Sequence, residues 1–219
     1  MINYEKRQSS GIRKSMDTLE RRSPEQTRDL ILDVAWDLFR QLGARATVAD
    51  VAKELGMSSA NVYRFYPSKQ ALCEAVAARQ LGAMGAQARE IANSGASAAE
   101  RIRAISLMLY TGMRDQMTQE ARVHEIVAVA INERWAPIEA FERGTAGLLA
   151  ELIAEGQANK EFGPGDPYDL AITMLCACVS IHHPTLIATQ REEKLAVPPD
   201  KLVDFALRAL ANRGPSPTA

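Results

Sequence analysis

Apolar residues recur at helical spacing along most of the chain, and this pattern predicts an all-α fold. Ser23, Pro24 and Gln26 form a capping box with proline at the first helical position, which predicts the start of the first helix. Gly43 is expected to end that helix. Its buried face is predicted to consist of Leu30, Ile31, Val34, Ala35, Leu38 and Phe39.

Two short helices are predicted next. Thr47 and Asp50 form a second capping box, and Gly56 stops the second helix after about two turns. Ser58 caps a third helix that ends before Pro67. A small shared core is expected from Val51, Ala52, Leu55 and Val62.

The remaining helices are longer, which gives about nine in total. The last of them, after Pro199, is predicted to carry the apolar stripe Leu202, Phe205, Ala206, Ala209 and Leu210. A single helix over 168–190 is expected to kink at Pro184. The other long helices are predicted over 69–92, 98–117, 119–132 and 134–159.

Composition and charge distribution bear on the binding partner and the cellular location of the protein. The net charge is −1, but residues 1–69 hold 12 Lys and Arg against 9 Asp and Glu, which favours a phosphate-facing end. The three cysteines suit a reducing cytosol. The N-terminus is polar and has no apolar segment of signal-peptide type, and the most apolar run, Leu170 to Ile181, is too short to span a bilayer. We therefore expect a cytoplasmic protein with no membrane partner.

The two short helices meet the requirements of a helix-turn-helix. The major groove is roughly 12 Å wide and accepts one helix, which needs a second helix across its back and a tight turn between them. Lys69 adds a clue, because a cation in the first turn of a helix is unfavourable unless an anion such as phosphate binds there. The outer face of the third helix is left with Ser58, Ser59, Asn61, Tyr63 and Arg64.

Residues 24–72 resemble the tetracycline-repressor (TetR) family without a gap. The family-specific features are Thr47 at the start of the second helix, Gly56-x-Ser58 before the third, Tyr63, and the exit Pro67-Ser68-Lys69-x-x-Leu72. One departure is Phe65-Tyr66, where the family commonly has Tyr or His followed by Phe. Phe65 cannot donate a hydrogen bond to phosphate, whereas Tyr66 is expected to pack in the small core with its hydroxyl reaching outward.

The resemblance implies a role for each of these residues. Thr47 and Lys69 would hold phosphates, Arg28 would add a backbone contact, and the outer face of the third helix would enter the groove. The expected DNA-binding residues are Arg28, Thr47, Ser58, Ser59, Asn61, Tyr63, Arg64, Tyr66 and Lys69.

The resemblance also implies a divergent helical C-terminal domain that binds a small molecule and dimerises. We expect a basic arm over 1–22, a DNA-binding domain over 23–70, and a ligand-binding and dimerisation domain over 71–219. Self-association is expected through about 168–190 and 199–213, with core packing as the alternative for these apolar segments. The arm could follow a minor groove or remain a solvated tail; its basic residues are Lys6, Arg7, Arg13, Lys14, Arg21 and Arg22.

The identity of the effector is open at this point. Several large side chains could line an adaptable apolar pocket, although each also suits an ordinary core position. These candidates are Met108, Met113, Met117, His124, Trp135, Phe141 and Met174. The implied mechanism is a two-state one, in which the ligand favours a conformer whose recognition helices no longer match successive major grooves.

Rival functions are less well supported. Cys178 and His182 are four residues apart on one predicted helical face, but Cys176 points elsewhere, so Cys176, Cys178, His182 and His183 are expected to be packing residues and no metal is expected. The chain has no Walker loop, G-x-S-x-G or H-E-x-x-H motif, so no enzyme activity and no cofactor are expected. A repressor of a palindromic double-stranded operator is favoured over an activator or a helical interaction module with a non-functional helix-turn-helix.

Overall fold

The computed structural model describes residues 22–119, 121–189 and 197–212, and within these ranges all regular structure is helical. Most of the predicted basic arm, from Lys6 to Arg21, lies outside the described residues. The helices are α1 (Pro24–Leu42), α2 (Val48–Glu54), α3 (Ser59–Phe65), α4 (Lys69–Ala92), α5 (Ala98–Gln119), α6 (Ala121–Asn132), α7 (Ala136–Ala158), α8 (Pro167–Ala177), α9 (Val179–His182), α10 (Pro184–Thr189) and α11 (Pro199–Ala211), with a 3₁₀ turn over Gly43–Arg45.

The chain divides into two compact units, Met1–Ala78 and Arg79–Ala219. In the first unit the predicted capping box opens α1, because Ser23 Oγ accepts a bond from the Gln26 N–H at 3.1 Å while Gln26 Oε1 accepts from the Ser23 N–H at 3.0 Å. Gly43 ends the helix at a positive φ of 62°, which glycine adopts without strain. The face of α1 that packs inward carries Ile31, Leu32, Ala35 and Phe39.

The second unit is built around one apolar cluster. Ile102, Ile105 and Leu109 of α5 pack with residues of α7, α8 and α11, including Leu149 and Val203. Polar contacts of Arg101 add to this packing. The buried Arg101 donates to the Ala92 carbonyl at 2.8 Å and forms an ion pair with Glu155. The Glu161 carboxylate accepts from the backbone N–H of Ala99 at 3.1 Å and so caps the start of α5.

The prediction of one kinked helix over 168–190 is wrong. The chain forms α8, α9 and α10 instead, which raises the number of α-helices in the described residues from about nine to eleven. Pro184 restricts the residue before it, and His183 is accordingly extended with ψ 118°. The second break falls at Cys178, which no proline or glycine marks.

The predicted apolar stripe of the last helix divides between a buried and an exposed face. The residues of α11 that face the core are Val203, Ala206 and Leu210, at the i, i+3, i+7 spacing of one helical face. Phe205 and Ala209 are exposed, and Phe205 leaves 65% of its surface accessible. The apolar pattern of α11 is wide enough for two faces, and the fold buries one of them.

None of the helices in the described ranges combines the length and the hydropathy needed to cross a bilayer.

Candidate nucleic-acid interface

A tight turn joins α2 to α3. Gly56 has a φ of 64°, in the left-handed region, and the Met57 N–H donates to the Ala52 carbonyl at 2.9 Å. Behind the turn, the side chains of Val51, Ala52, Leu55 and Val62 are all buried, at 6% exposure or less. The predicted small core is therefore confirmed, and it fixes α3 against α2.

The opposite side of α3 faces outward. Tyr63 is 46% exposed, Ser58, Asn61 and Arg64 are exposed, and Ser59 is half-buried. Ser58 caps the helix, since its Oγ accepts from the Asn61 N–H at 3.3 Å. The face presents a phenol, an amide, hydroxyls and a guanidinium, which are groups that bond to base edges and phosphates.

Thr47 is held in a complete capping box. Its N–H donates to Asp50 Oδ2 at 2.9 Å, its hydroxyl donates to the same oxygen at 2.6 Å, and Thr47 Oγ1 accepts from the Asp50 N–H at 3.2 Å. These bonds hold the pKa of Asp50 below its ordinary value. A bond from the Thr47 hydroxyl to phosphate must therefore compete with its bond to Asp50.

Lys69 lies at the start of α4 and is anchored to the 3₁₀ turn that follows α1. Its Nζ donates to the Ala44 carbonyl at 2.5 Å, which leaves two N–H groups of the ammonium for other acceptors. The positive charges of Lys53 and Lys69 also help to lower the pKa of Asp50.

Arg28 of α1 lies over the ring of Phe65 at the end of α3. The guanidinium carbon is 5.6 Å from the ring centroid, which is cation–π geometry. Arg28 is exposed and Phe65 is half-buried, while Tyr66 packs into the small core as predicted. No sequence signal linked Arg28 to Phe65, because the two residues are far apart in the chain and belong to different helices.

Four of the seven predicted effector residues lie in or against the apolar cluster of the second unit. Met174 is buried in the cluster of the second unit, and Met108, Met113 and Phe141 pack against it. Trp135 is buried, with its indole N–H donating to Glu133 Oε2 at 2.9 Å. The side chains of Met117 and His124 lie outside the described residues.

A cleft of about 260 Å³ lies elsewhere in the second unit. Its charged side chains are paired with each other, Arg89 with Glu151 at 2.7 Å and Arg101 with Glu155. The paired charges leave the cleft nearly neutral, and none of the predicted effector residues lines it. The principal lining residues are Arg89, Arg101, Leu148, Glu151, Leu152 and Glu155.

The cysteines and histidines after Pro167 do not share the face that a continuous helix would give them. The helix breaks at Cys178, which is buried, whereas Cys176 is exposed. His182 has both imidazole nitrogens buried without a hydrogen-bond partner in the described structure, and burial lowers its pKa to about 4. Within the described ranges, no three potential ligands come together around a metal site.

Comparison with known families gives two adjoining matches. Residues 31–76 match the family described as bacterial regulatory proteins of the tetR family. Residues 98–203 match the tetracycline-repressor-like C-terminal domain. The first match contains α2, the turn and α3, and the second contains most of the apolar cluster of the second unit.

Individual relatives agree with these matches. The chain is 25% identical over 151 residues to the HTH-type transcriptional regulator YvaF of Bacillus subtilis, which covers 68% of this chain and 77% of YvaF. A TetR/AcrR-family regulator from Thermobifida fusca has a TM-score of 0.59 and 25% identity, over 87% of this chain and all of that one (100%). FadR of Thermus thermophilus has a TM-score of 0.60 and 18% identity, over 88% of this chain and 97% of its own.

These relatives are transcriptional regulators rather than enzymes, in agreement with the expectation from the sequence. The two family matches cover the N-terminal and the C-terminal domain of one family. The polar outer face of α3 agrees with the first of these matches. The chain belongs to the TetR family of transcriptional regulators.

Proposed function

We propose that this regulator is a repressor that binds a palindromic operator as a homodimer and is released by a small molecule. The observation that carries this proposal is the division of α3 into two faces. Val62 is fully buried against α2, while Asn61, Tyr63 and Arg64 are exposed on the other side. A rigid helix with that outer surface fits the major groove.

Base reading is assigned to the outer face of α3. Asn61 can bond to adenine in a bidentate manner, and Arg64 can do so to guanine or hold a phosphate. Tyr63 offers a phenol hydroxyl and an apolar ring that can contact a thymine methyl group. Ser58 and Ser59, at the start of the helix, supply short hydroxyls for bases or for the backbone.

Phosphate binding is assigned to residues at the edges of α3. Lys69 keeps two N–H donors while the Ala44 carbonyl holds its ammonium in place. Arg28 is exposed beside the last residue of α3. Thr47 is the weakest of the three, because its hydroxyl is already bonded to Asp50. Tyr66, being buried, serves the core that supports α3.

Two apolar surfaces support a homodimer. In the second unit, α8 and α11 pack against each other and both keep large apolar side chains exposed, among them Tyr168, Ile172 and Phe205. These lie in the ranges 168–190 and 199–213. A two-fold dimer would place its two α3 helices on half-sites one helical turn of DNA apart, roughly 34–36 Å.

The effector is assigned to the second unit. Thermus thermophilus FadR, which shares this fold, was solved in complex with lauroyl-CoA, so the architecture can hold a small molecule. The candidate contacts in this chain remain Met108, Met113, Met117, His124, Trp135, Phe141 and Met174. Their thioether and aromatic side chains adapt readily to an apolar ligand.

The test starts from a selection of duplexes by the wild-type protein from a random-sequence library. We expect a palindromic consensus, and we expect Tyr63→Ala or Lys69→Gln to abolish or strongly weaken a gel shift on that duplex at roughly physiological salt, because a base contact or a phosphate contact is lost. Lys160→Gln is the charge-matched control, since Lys160 follows α7 in the second unit.

Undiminished binding by both interface variants would refute these roles. Failure of the wild-type protein to enrich any duplex would favour the helical interaction module. A promoter–reporter assay with the selected site separates repressor from activator, because a repressor lowers reporter output.

A further inference from the structure

The contact between Arg28 and Phe65 links the missing phosphate donor at residue 65 to a cation that comes from another helix. Phe65 occupies the position where the family commonly has Tyr or His, and its ring has no group that can bond to a phosphate oxygen. Arg28 comes from another helix, and its guanidinium carbon lies 5.6 Å from the centroid of that ring. A cation is thus present at the place where the side-chain donor is missing.

We propose that Phe65 is a positioning residue whose ring holds the Arg28 guanidinium at the end of α3, so that Arg28 makes the phosphate contact that residue 65 cannot make. This inference rests on the proposed function. It replaces a direct contact from residue 65 with an indirect one, in which Phe65 acts through Arg28.

The chemistry of the pair suits this task. A guanidinium stacked on a ring keeps the N–H groups at its edge available, and these match the oxygens of a phosphate in a bidentate manner. A ring contact also restricts the rotamers of a long side chain before DNA binds, which reduces the entropy lost on binding.

The site of the contact adds to the effect. Phe65 is the last residue of α3, where the unpaired carbonyl groups carry partial negative charge and favour a cation. Phe65 is half-buried beside the buried Tyr66, so its backbone is fixed by the small core. Arg28 is therefore supported by a rigid surface rather than by a loop.

The measurement is the slope of log affinity against log salt, between about 50 and 200 mM, for the duplex selected by the wild-type protein and for a random duplex of equal length. Arg28→Ala should reduce the slope by about 1.8, because each of two protomers gives up a phosphate contact worth about 0.9. Phe65→Leu, which keeps an apolar side chain but removes the ring, should reduce it in the same direction. The reduction should appear on both duplexes, since a phosphate contact is independent of sequence.

Two further variants separate positioning from a structural role. Phe65→Tyr retains the ring, so its slope should be at least as steep as that of the wild type. The double variant Arg28→Ala/Phe65→Leu should bind like Arg28→Ala alone, because the ring has nothing left to hold. Circular dichroism and thermal unfolding of each variant check that the first unit remains folded.

A wild-type slope for Phe65→Leu, a shallower slope for Phe65→Tyr, or additive losses in the double variant would overturn the inference. These outcomes leave the proposed function intact as long as the wild type binds its selected duplex and Tyr63→Ala does not. Absence of salt-dependent binding by the wild type would instead refute the proposed function itself.

Discussion

At the residue scale, His182 is a histidine held in its neutral form by its surroundings. It ends α9, and both of its ring nitrogens are buried without a hydrogen-bond partner among the described residues. Its neighbours Cys178 and Ile181 are fully buried. Protonation would place a charge in this apolar environment, and burial accordingly lowers the pKa of His182 to about 4.

This lowered pKa predicts an acid-dependent loss of stability. The unfolded chain takes up a proton near pH 6.5, whereas the folded chain does so near pH 4. The free energy of unfolding should therefore be highest above pH 6.5 and fall as the pH drops from about 6.5 to about 4, by at most about 3 kcal/mol from this residue. Thermal unfolding across this pH range measures the effect.

His182→Leu provides the comparison. Leucine has no titrating group and no unpaired nitrogen, so the variant should gain more stability at pH 5 than at pH 8. His183→Leu is the matched control, because it removes a neighbouring imidazole and leaves His182 in place. Parallel pH curves for the wild type and His182→Leu would contradict the prediction.

Some features of the interface were predictable from individual residues and some were not. The capping box of Thr47 and Asp50 and the outward face of Tyr63 follow from local spacing, which the sequence displays directly. The bond from Lys69 to the Ala44 carbonyl and the contact of Arg28 with the Phe65 ring join separate elements. Contacts of that kind depend on how helices pack, which spacing along one helix does not encode.

At the scale of elements, α7 carries glycines in opposite environments. An added Cβ at Gly156 would lie 2.5 Å from Phe162 Cε2 and 3.1 Å from Ala98 Cβ, whereas at Gly144 it would meet nothing within 4 Å. Phe162 is buried against the cluster of the second unit and cannot easily move. Gly156 therefore permits the close approach of Phe162 to the backbone of α7, whereas no described side chain approaches α7 in this way at Gly144.

The two glycines predict substitutions of opposite sign. Gly156→Ala should destabilise the protein by about 1–3 kcal/mol, because overpacking exceeds the gain in helix propensity. Gly144→Ala, on the same helix, should stabilise it by about 0.5–1 kcal/mol, because alanine lowers the backbone entropy of the unfolded chain. Urea unfolding of both variants measures the difference, and a stabilised Gly156→Ala would contradict the close approach of Phe162.

The helices themselves were largely predictable, since caps, glycines and prolines mark most of their ends. The sequence predicts α1 to α7 closely because most of their boundaries have a local signal, such as Ser23 or Gly43. The break at Cys178 has none, and it separates α8 from α9 within a continuous apolar run. The apolar pattern of α11 does not by itself distinguish its core face from its exposed face, because apolar residues occupy both sides and the tertiary packing selects Val203 over Phe205.

At the scale of the whole molecule, exposed apolar residues form a regular stripe. Tyr168, Ile172 and Cys176 follow one another on α8 at intervals of four residues, and all three are exposed. Phe205 lies on α11, which packs against α8. A large apolar stripe that spans adjacent helices is typical of an interface between subunits.

Introducing a carboxylate into this stripe should dissociate the proposed dimer. In Ile172→Glu two carboxylates per dimer would be buried without partners, which strongly favours the separated protomers. Val129→Glu is the matched control, because Val129 on α6 is 42% exposed and Ile172 39%. Light scattering at micromolar concentration should show a monomer for Ile172→Glu and a dimer for Val129→Glu and the wild type. A wild-type monomer, or a dimeric Ile172→Glu, would exclude this interface.

Cys176 allows the same surface to be examined without changing it. Cys73 and Cys178 are buried, and burial raises the pKa of Cys73 to about 11 and also raises that of Cys178, so their thiolates are scarce near neutral pH. Maleimide at pH 7.5 should therefore modify Cys176 almost alone. If the stripe is covered by a second protomer, labelling should be slow in the wild type and in Val129→Glu and should become faster in Ile172→Glu. Equal rates in all three proteins, with Ile172→Glu monomeric and the other two dimeric, would mean that Cys176 lies outside the contact between protomers.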